Sequence, residues 1–157
     1  AATPDGTARL AVLPAAATGV LDTEQQQRVA VPLVPTPAAA PTGRATEDRA
    51  LVLLATRPVL DADGHRLGDL QGGLLLNRNL ALIDHINEIV YPEGALPFGS
   101  QGTVTLFLDD VRISTNVRLF GADGERRAIG TRVSQQVRDE VLGRGRLWLG
   151  RAFVVSD

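Results

Sequence analysis

Between Thr103 and Val117 the chain alternates apolar and polar residues on both sides of Asp109-Asp110, and no other stretch limits the fold so sharply. A period of two marks a strand with two distinct faces. Two such runs about a short acidic turn predict an antiparallel hairpin with Leu108 opposite Val111 and Phe107 opposite Arg112. That pairing sorts Val104, Leu106, Leu108, Val111, Ile113, Thr115 and Val117 onto one face, which must be covered by a helix or another sheet. The other face gathers Thr103, Thr105, Phe107, Arg112, Ser114 and Asn116. Hydroxyls, an amide, a ring and one guanidinium suit the solvated side of an antiparallel sheet, and they equally suit the lining of a small polar pocket.

The rest of the chain supplies cover for that hairpin. Residues 1–49 are rich in Ala and Pro, with strand-like runs at Ala8 to Leu13 and Arg28 to Val34 and a loop from Pro35 to Pro41. Ala50 to Leu60 and His65 to Leu76 read as two antiparallel strands about Asp61-Ala62-Asp63-Gly64, with a helix over Thr46 to Ala55, capped by Thr46, as the rival reading. Leu80, Ile83, Ile86 and Val90 recur at helical spacing behind Asn79, which predicts a helix over Asn79 to Tyr91. Beyond the hairpin come a turn at Ala122 to Glu125, a helix capped by Ser134 with Gly143 as its left-handed stop, and a strand over Arg146 to Val155. The order predicts an α+β fold, a PAS-like antiparallel sheet with flanking helices, divided into residues 1–49 and a sensor-like region over 50–157.

Composition closes several function classes. The formal net charge of -2 is spread along the chain, so neither nucleic acid nor an anionic membrane surface is an expected partner. The absence of Cys excludes disulfides, thiolate metal sites and Cys nucleophiles. No apolar run approaches the ~20 residues that span a bilayer. With no Met in it, the chain is expected to be a piece of a longer protein whose membrane anchors lie outside it.

Other chemistry-bearing residues have plainer readings beside them. His65 and His85 are too differently placed for a metal pair and read as surface residues, and no metal or other cofactor is expected. Asp109-Asp110 could attract a cation, but such a pair usually just forms the turn. Gly68, Gly72 and Gly73 lack the strand, Lys and helix of a phosphate loop and read as strand bulges. Ser100, Ser114, Ser134 and Ser156 lack a nucleophile elbow, so an enzyme is not expected. Arg132 either turns inward to a carboxylate or pairs with Glu140 at the surface. Trp148 reads as core.

The runs Gly102 to Val117, Arg127 to Ser134 and Trp148 to Val155 resemble the Cache domains of bacterial chemoreceptors and sensor histidine kinases. Upstream, Arg57-Pro58-Val59, Asp63-Gly64, Gly72-Gly73, Leu75 to Asn79 and Ile83 to Ile86 look like the preceding part of a fused Cache_3-Cache_2 unit. The resemblance implies a periplasmic domain of a membrane-anchored receptor that binds a small metabolite, often a carboxylate, on a PAS-like sheet. In the similar citrate-sensor type of domain a strand Thr, an Arg after the turn and a polar residue three positions later contact the ligand. Thr105, Arg112 and Thr115 match those places here, although the turn is one residue shorter and the pairing above sets Thr115 on the apolar face. The ligand-binding set expected is Arg112 with Thr105, Ser114, Asn116, Phe107, Thr115 and Arg132. The family usually continues with further strands that are absent here, and a homodimer is a further expectation. The rival to a sensor is a structural or dimerisation module with no ligand of its own.

Overall fold

A computed structural model describes residues 6–100, 102–119 and 126–150. Among these residues, three antiparallel sheets and three α-helices, with shorter helical turns between them, make the α+β plan that the alternation and helical spacing predicted. The largest sheet has the order β1 (Thr7–Leu13), β4 (Ala50–Leu60), β5 (Arg66–Leu75). β2 (Val31–Pro32) pairs with β3 (Thr46–Glu47), and β6 (Thr105–Leu108) with β7 (Val111–Thr115). The Ala50 to Leu60 run is a strand, so the helical reading of Thr46 to Ala55 is overturned: Thr46 and Glu47 are taken by pairing with Val31 and Pro32.

One helix replaces part of an expected strand. Residues before Val31 form α1 (Thr23–Val29), because Asp22 and Gln25 make a capping box in which each side chain bonds the other's backbone amide. α2 (Leu80–Val90) starts as predicted, with the Asn79 side chain accepting from the Leu82 amide at 3.2 Å. Ser134 caps α3 (Gln135–Arg138) through the Val137 amide, but the chain then widens into a π-helical turn, Asp139–Gly143. Gly145, not Gly143, holds the left-handed backbone after it. Residues 146–150 are not in a strand, while 151–155 and the expected turn at 122–125 lie outside the described residues. Of the three glycines read as bulges, Gly72 and Gly73 pair regularly with Ala55 and Leu54, and the β4–β5 register breaks only beside Gly68.

Two small cores follow from these faces. Ala50, Val52 and Leu75 point from the large sheet onto Val29 of α1. Val31, Leu108, Val111 and Ile113 form the second core, with Leu51 packed against it from β4. The opposite face of the large sheet is bare: Leu10, Leu53 and Leu74 lie in one cross-strand row and are all exposed.

Asn77, wholly buried between β5 and α2, ties the cores together. Its Oδ1 accepts from the Leu51 amide at 2.8 Å, and its Nδ2 donates to the Arg49 and Val29 carbonyls at 3.0 and 3.4 Å. The Arg28 guanidinium donates to the Leu75 and Asn77 carbonyls, and the Arg78 amide donates to Ile113 at 2.9 Å. α2 is docked onto β7 by Arg127, whose guanidinium grips both oxygens of Asp84 at 2.7 Å and also donates to the Thr115 carbonyl at 3.1 Å. Residues 1–49 are joined to the rest through β1, through the Val34 amide on Gly130, and through the Thr36 hydroxyl that accepts from the Arg132 amide.

Replacing Asn77 with Ala strands the Leu51 amide and the Arg49 carbonyl in the interior, which is expected to cost about 2–4 kcal/mol. Urea unfolding at fixed m-value measures it; a loss below about 1 kcal/mol would remove Asn77 from this role. The hydrogen bonds from Arg127 hold the Asp84 carboxyl below its ordinary value of 3.8. Between the folded-state value and 3.8 the unfolded chain binds more protons, so stability falls as pH drops through that window. Asp84→Asn is expected to flatten the acid limb of a stability profile there and to leave the slope near neutrality unchanged.

Candidate functional site

The hairpin begins as its alternation predicts and then departs from it. Leu108 pairs with Val111 and Phe107 with Arg112, but the next pairs are Leu106 with Ser114 and Thr105 with Thr115. Ile113 is therefore an extra residue in β7, a bulge that returns the following side chains to the opposite faces. Asn116 secures the shifted end: its Oδ1 accepts from the Val104 amide at 2.8 Å and its Nδ2 donates to the Gly102 carbonyl at 3.1 Å. Strict alternation cannot register such an insertion, so the expected faces of Ser114 and Thr115 are exchanged.

The exchange assembles a polar cluster that the alternation alone had split. Thr115 now shares a face with Thr105, their hydroxyl oxygens 2.7 Å apart. The same face carries Phe107 and Arg112, whose guanidinium carbon lies 5.2 Å from the ring centroid. Arg112 is only 5 % exposed, and the Thr131 hydroxyl accepts from its Nη1. Burial pushes the Arg112 guanidinium down to about 10. Thr131 is in turn fixed by donating to the Ala128 carbonyl at 2.7 Å. The tight turn that presents it depends on Gly130, whose φ of +88° favours glycine and where a Cβ would stand 2.2 Å from the Pro32 carbonyl oxygen.

The other expected site residues have different places. Ser114 sits opposite Leu106, fully buried, with no hydrogen-bond partner for its Oγ among the described residues. Asn116 spends its amide on the backbone of the incoming strand. Arg132 turns inward, but to a carboxylate of its own chain: Nε and Nη2 donate to Asp110 at 3.1 and 2.6 Å, and Nη1 donates to the Ala40 carbonyl at 2.6 Å. Because Arg132 stands opposite Val111, it lies across the strand from Arg112. Glu140 pairs instead with Arg144 and Arg146.

Asp109 and Asp110 are more than turn formers. Asp109, in left-handed backbone, accepts from Arg49 at 2.7 Å, and Arg49 also donates to the buried Glu47. Burial raises the Glu47 carboxyl, yet hydrogen bonds from Arg49 and Arg44 carry it below its ordinary value. Asp110 receives Arg132 and has Arg44 at 3.6 Å, so the hairpin tip is clamped to the segment before β4. At the other hairpin, Asp61, Asp63 and His65 approach one another, but Asp61 accepts the amides of Asp63 and His65 and acts as the turn's own cap. His65 and His85 are both exposed, and Trp148 is half-buried outside both cores.

Thr131 and the Arg127–Asp84 pair did not emerge from the alternation. Their only signal was position, inside the run from Arg127 to Ser134 and on the helix that starts at Asn79.

Among the described residues, no helix is long and apolar enough to cross a membrane. Neither the curated proteins nor the solved structures contain a match to this chain. A protein-family model does match, described as single Cache domain 3, over residues 74–157, from the end of β5 through the hairpin and beyond. That model describes one Cache domain and gives no support to a fused pair. Cache domains are non-catalytic, ligand-binding modules and form the extracytoplasmic sensing parts of signalling receptors. With more than half of its residues covered, including the bulged hairpin and its α2 and Gly130 supports, the chain belongs to the single Cache domain 3 family.

Proposed function

We propose that this domain is the periplasmic sensor of a membrane-anchored chemoreceptor or sensor histidine kinase, and that it binds a small carboxylate through Arg112 and Thr105, with the buried Thr115 hydroxyl orienting Thr105. The observation that carries the reading is the bulge at Ile113, which sets the two threonine hydroxyls on the face of the guanidinium. Phe107 shelters that face from one side, and the Thr131 hydroxyl holds Nη1 in place. A carboxylate bound by a guanidinium accepts charge-assisted hydrogen bonds, each contributing about 1.5–3 kcal/mol. The Thr105 hydroxyl and the guanidinium together support an affinity of about 1 mM to 1 μM, which is ample for a metabolite sensor.

Ser114, Asn116 and Arg132 drop out of the contact set, since each has another place in the fold. Signalling would follow from two arrangements of the hairpin and α2, and the shift between them cannot exceed the ligand's differential affinity for the two. Thr115 is well placed for such a change because its carbonyl accepts from Arg127, the residue that holds α2.

A calorimetric titration with small mono-, di- and tricarboxylates tests the proposal. At least one is expected to bind saturably and to raise the melting temperature. Arg112→Ala should abolish that binding. Thr105→Val, which removes one half-buried hydroxyl and little packing, should weaken it by about tenfold, equivalent to 1.4 kcal/mol. A flat response across the panel, or binding that survives Arg112→Ala, would favour a structural or dimerisation module instead.

A further inference from the structure

The bare face of the large sheet has an order of its own. Leu10 of β1, Leu53 of β4 and Leu74 of β5 stand side by side across the strands and are 63, 39 and 45 % exposed. Two residues along each strand, on the same face, the next row is Ala8, Ala55 and Gly72. A ridge of three leucines therefore runs beside a furrow of three small residues, about 6.8 Å from it. Exposed Val12, Leu70 and Val59 extend the apolar surface to either side, and Arg57 is the one charged residue on this face among the described residues. The second core bounds the face at Leu51.

Area, shape and charge agree on what fits there. The aliphatic side chains and the small residues between them offer on the order of 700 Å², more than the largest patch of a typical monomer and close to the ~800 Å² that each partner of a standard interface contributes. A two-fold axis parallel to the rows, midway between ridge and furrow, carries each leucine of one copy onto the small residue of the same strand in the other. Leu10 then lies over Ala8, Leu53 over Ala55 and Leu74 over Gly72. The operation is its own inverse, so the second ridge enters the first furrow in the same movement. The two Arg57 fall on opposite sides of the axis, about 20 Å apart and beyond the ~8 Å screening length, so they do not repel each other across the contact. An acidic protein or an anionic membrane would find a single arginine to hold it.

We propose that a second copy of this chain packs on this face, leucine ridge into small-residue furrow, to form a two-fold dimer through its large sheets. The strands of the two sheets then lie nearly aligned, as in other sheets packed face to face. The interface is separate from the Arg112 cluster and stands whether or not that cluster binds a carboxylate.

Sedimentation equilibrium of the whole chain from about 5 to about 500 μM tests this, with a reversible monomer–dimer equilibrium expected inside that range. Leu53→Asp and Ala55→Lys, both at exposed positions, should each raise the dissociation constant about tenfold or more by burying an unpaired charge, with little change in the melting temperature. An equimolar mixture of the two variants should regain the parent's association. In that mixed dimer the introduced carboxylate meets the introduced ammonium, while the other half of the contact is unaltered, and misfolding cannot produce such a rescue. Arg112→Ala should leave the association unchanged. A chain that stays monomeric throughout the range would overturn the proposal and leave the face to a different partner. Dimers insensitive to both substitutions, or lost in both variants and not regained on mixing, would overturn it as well, by placing the contact elsewhere.

Discussion

Ile113 is inserted into β7 without a partner in β6, and the character of the polar face depends on that one insertion. In a regular hairpin the residues at 105, 107, 112 and 114 would share a side, and Thr115 would fall into the core. The bulge sends Ser114 to the apolar side, where its hydroxyl is buried opposite Leu106, and brings Thr115 against Thr105. Leaving a buried hydroxyl without a partner costs about 1–3 kcal/mol. The fold tolerates that because Asn116 takes two backbone bonds at the shifted end and Thr115 accepts from the Val117 amide at 3.1 Å. The local defect and its local compensation lie within four residues, which suits a structural feature kept for what it places on the other face.

The arginines divide by what surrounds them. Arg49 and Arg127 are pushed above their ordinary value by the hydrogen bonds they donate to carboxylates, and both act as ties between elements. Arg132 makes the same kind of bond to Asp110 in the interior, where removing one partner would leave the other charge buried. Arg112 is shifted the opposite way, because burial dominates its surroundings. The Thr131 hydroxyl and the Phe107 ring fix where that guanidinium points.

Much of this architecture was legible in the residues. The strand at Ala50, the helix behind Asn79, the cap at Ser134 and the first two hairpin pairs all rest on short-range rules of period and capping, which the tertiary structure does not disturb. What was missed shares one cause. Neither the bulge at Ile113, nor the inward turn of Arg132 to Asp110, nor the docking of α2 by Arg127 on Asp84 has a period; each is set by residues far apart in the chain. α1 was a different failure, since Asp22 and Gln25 carry a readable capping signature that the apolar run from Val29 to Val34 obscured. The family pattern of Thr, Arg and a later polar residue agrees with the bulged register and conflicts with the regular one, so here the resemblance held spatial information that alternation lacked.

β7 is held along its length, and this constrains how a ligand could move it. One edge is bonded through Arg112 to the backbone of Thr131 and Gly130, and its tip is clamped through Asp109 and Asp110 to Arg49 and Arg132. At the Thr115 end the strand carbonyl accepts from the Arg127 guanidinium, which also holds Asp84 of α2. Side-chain ties rearrange by rotamer changes, whereas a backbone ladder must break or slide as a unit. A displacement started at the threonine pair is therefore resisted toward Asp110 and passes more easily through the Thr115 carbonyl to Arg127 and Asp84.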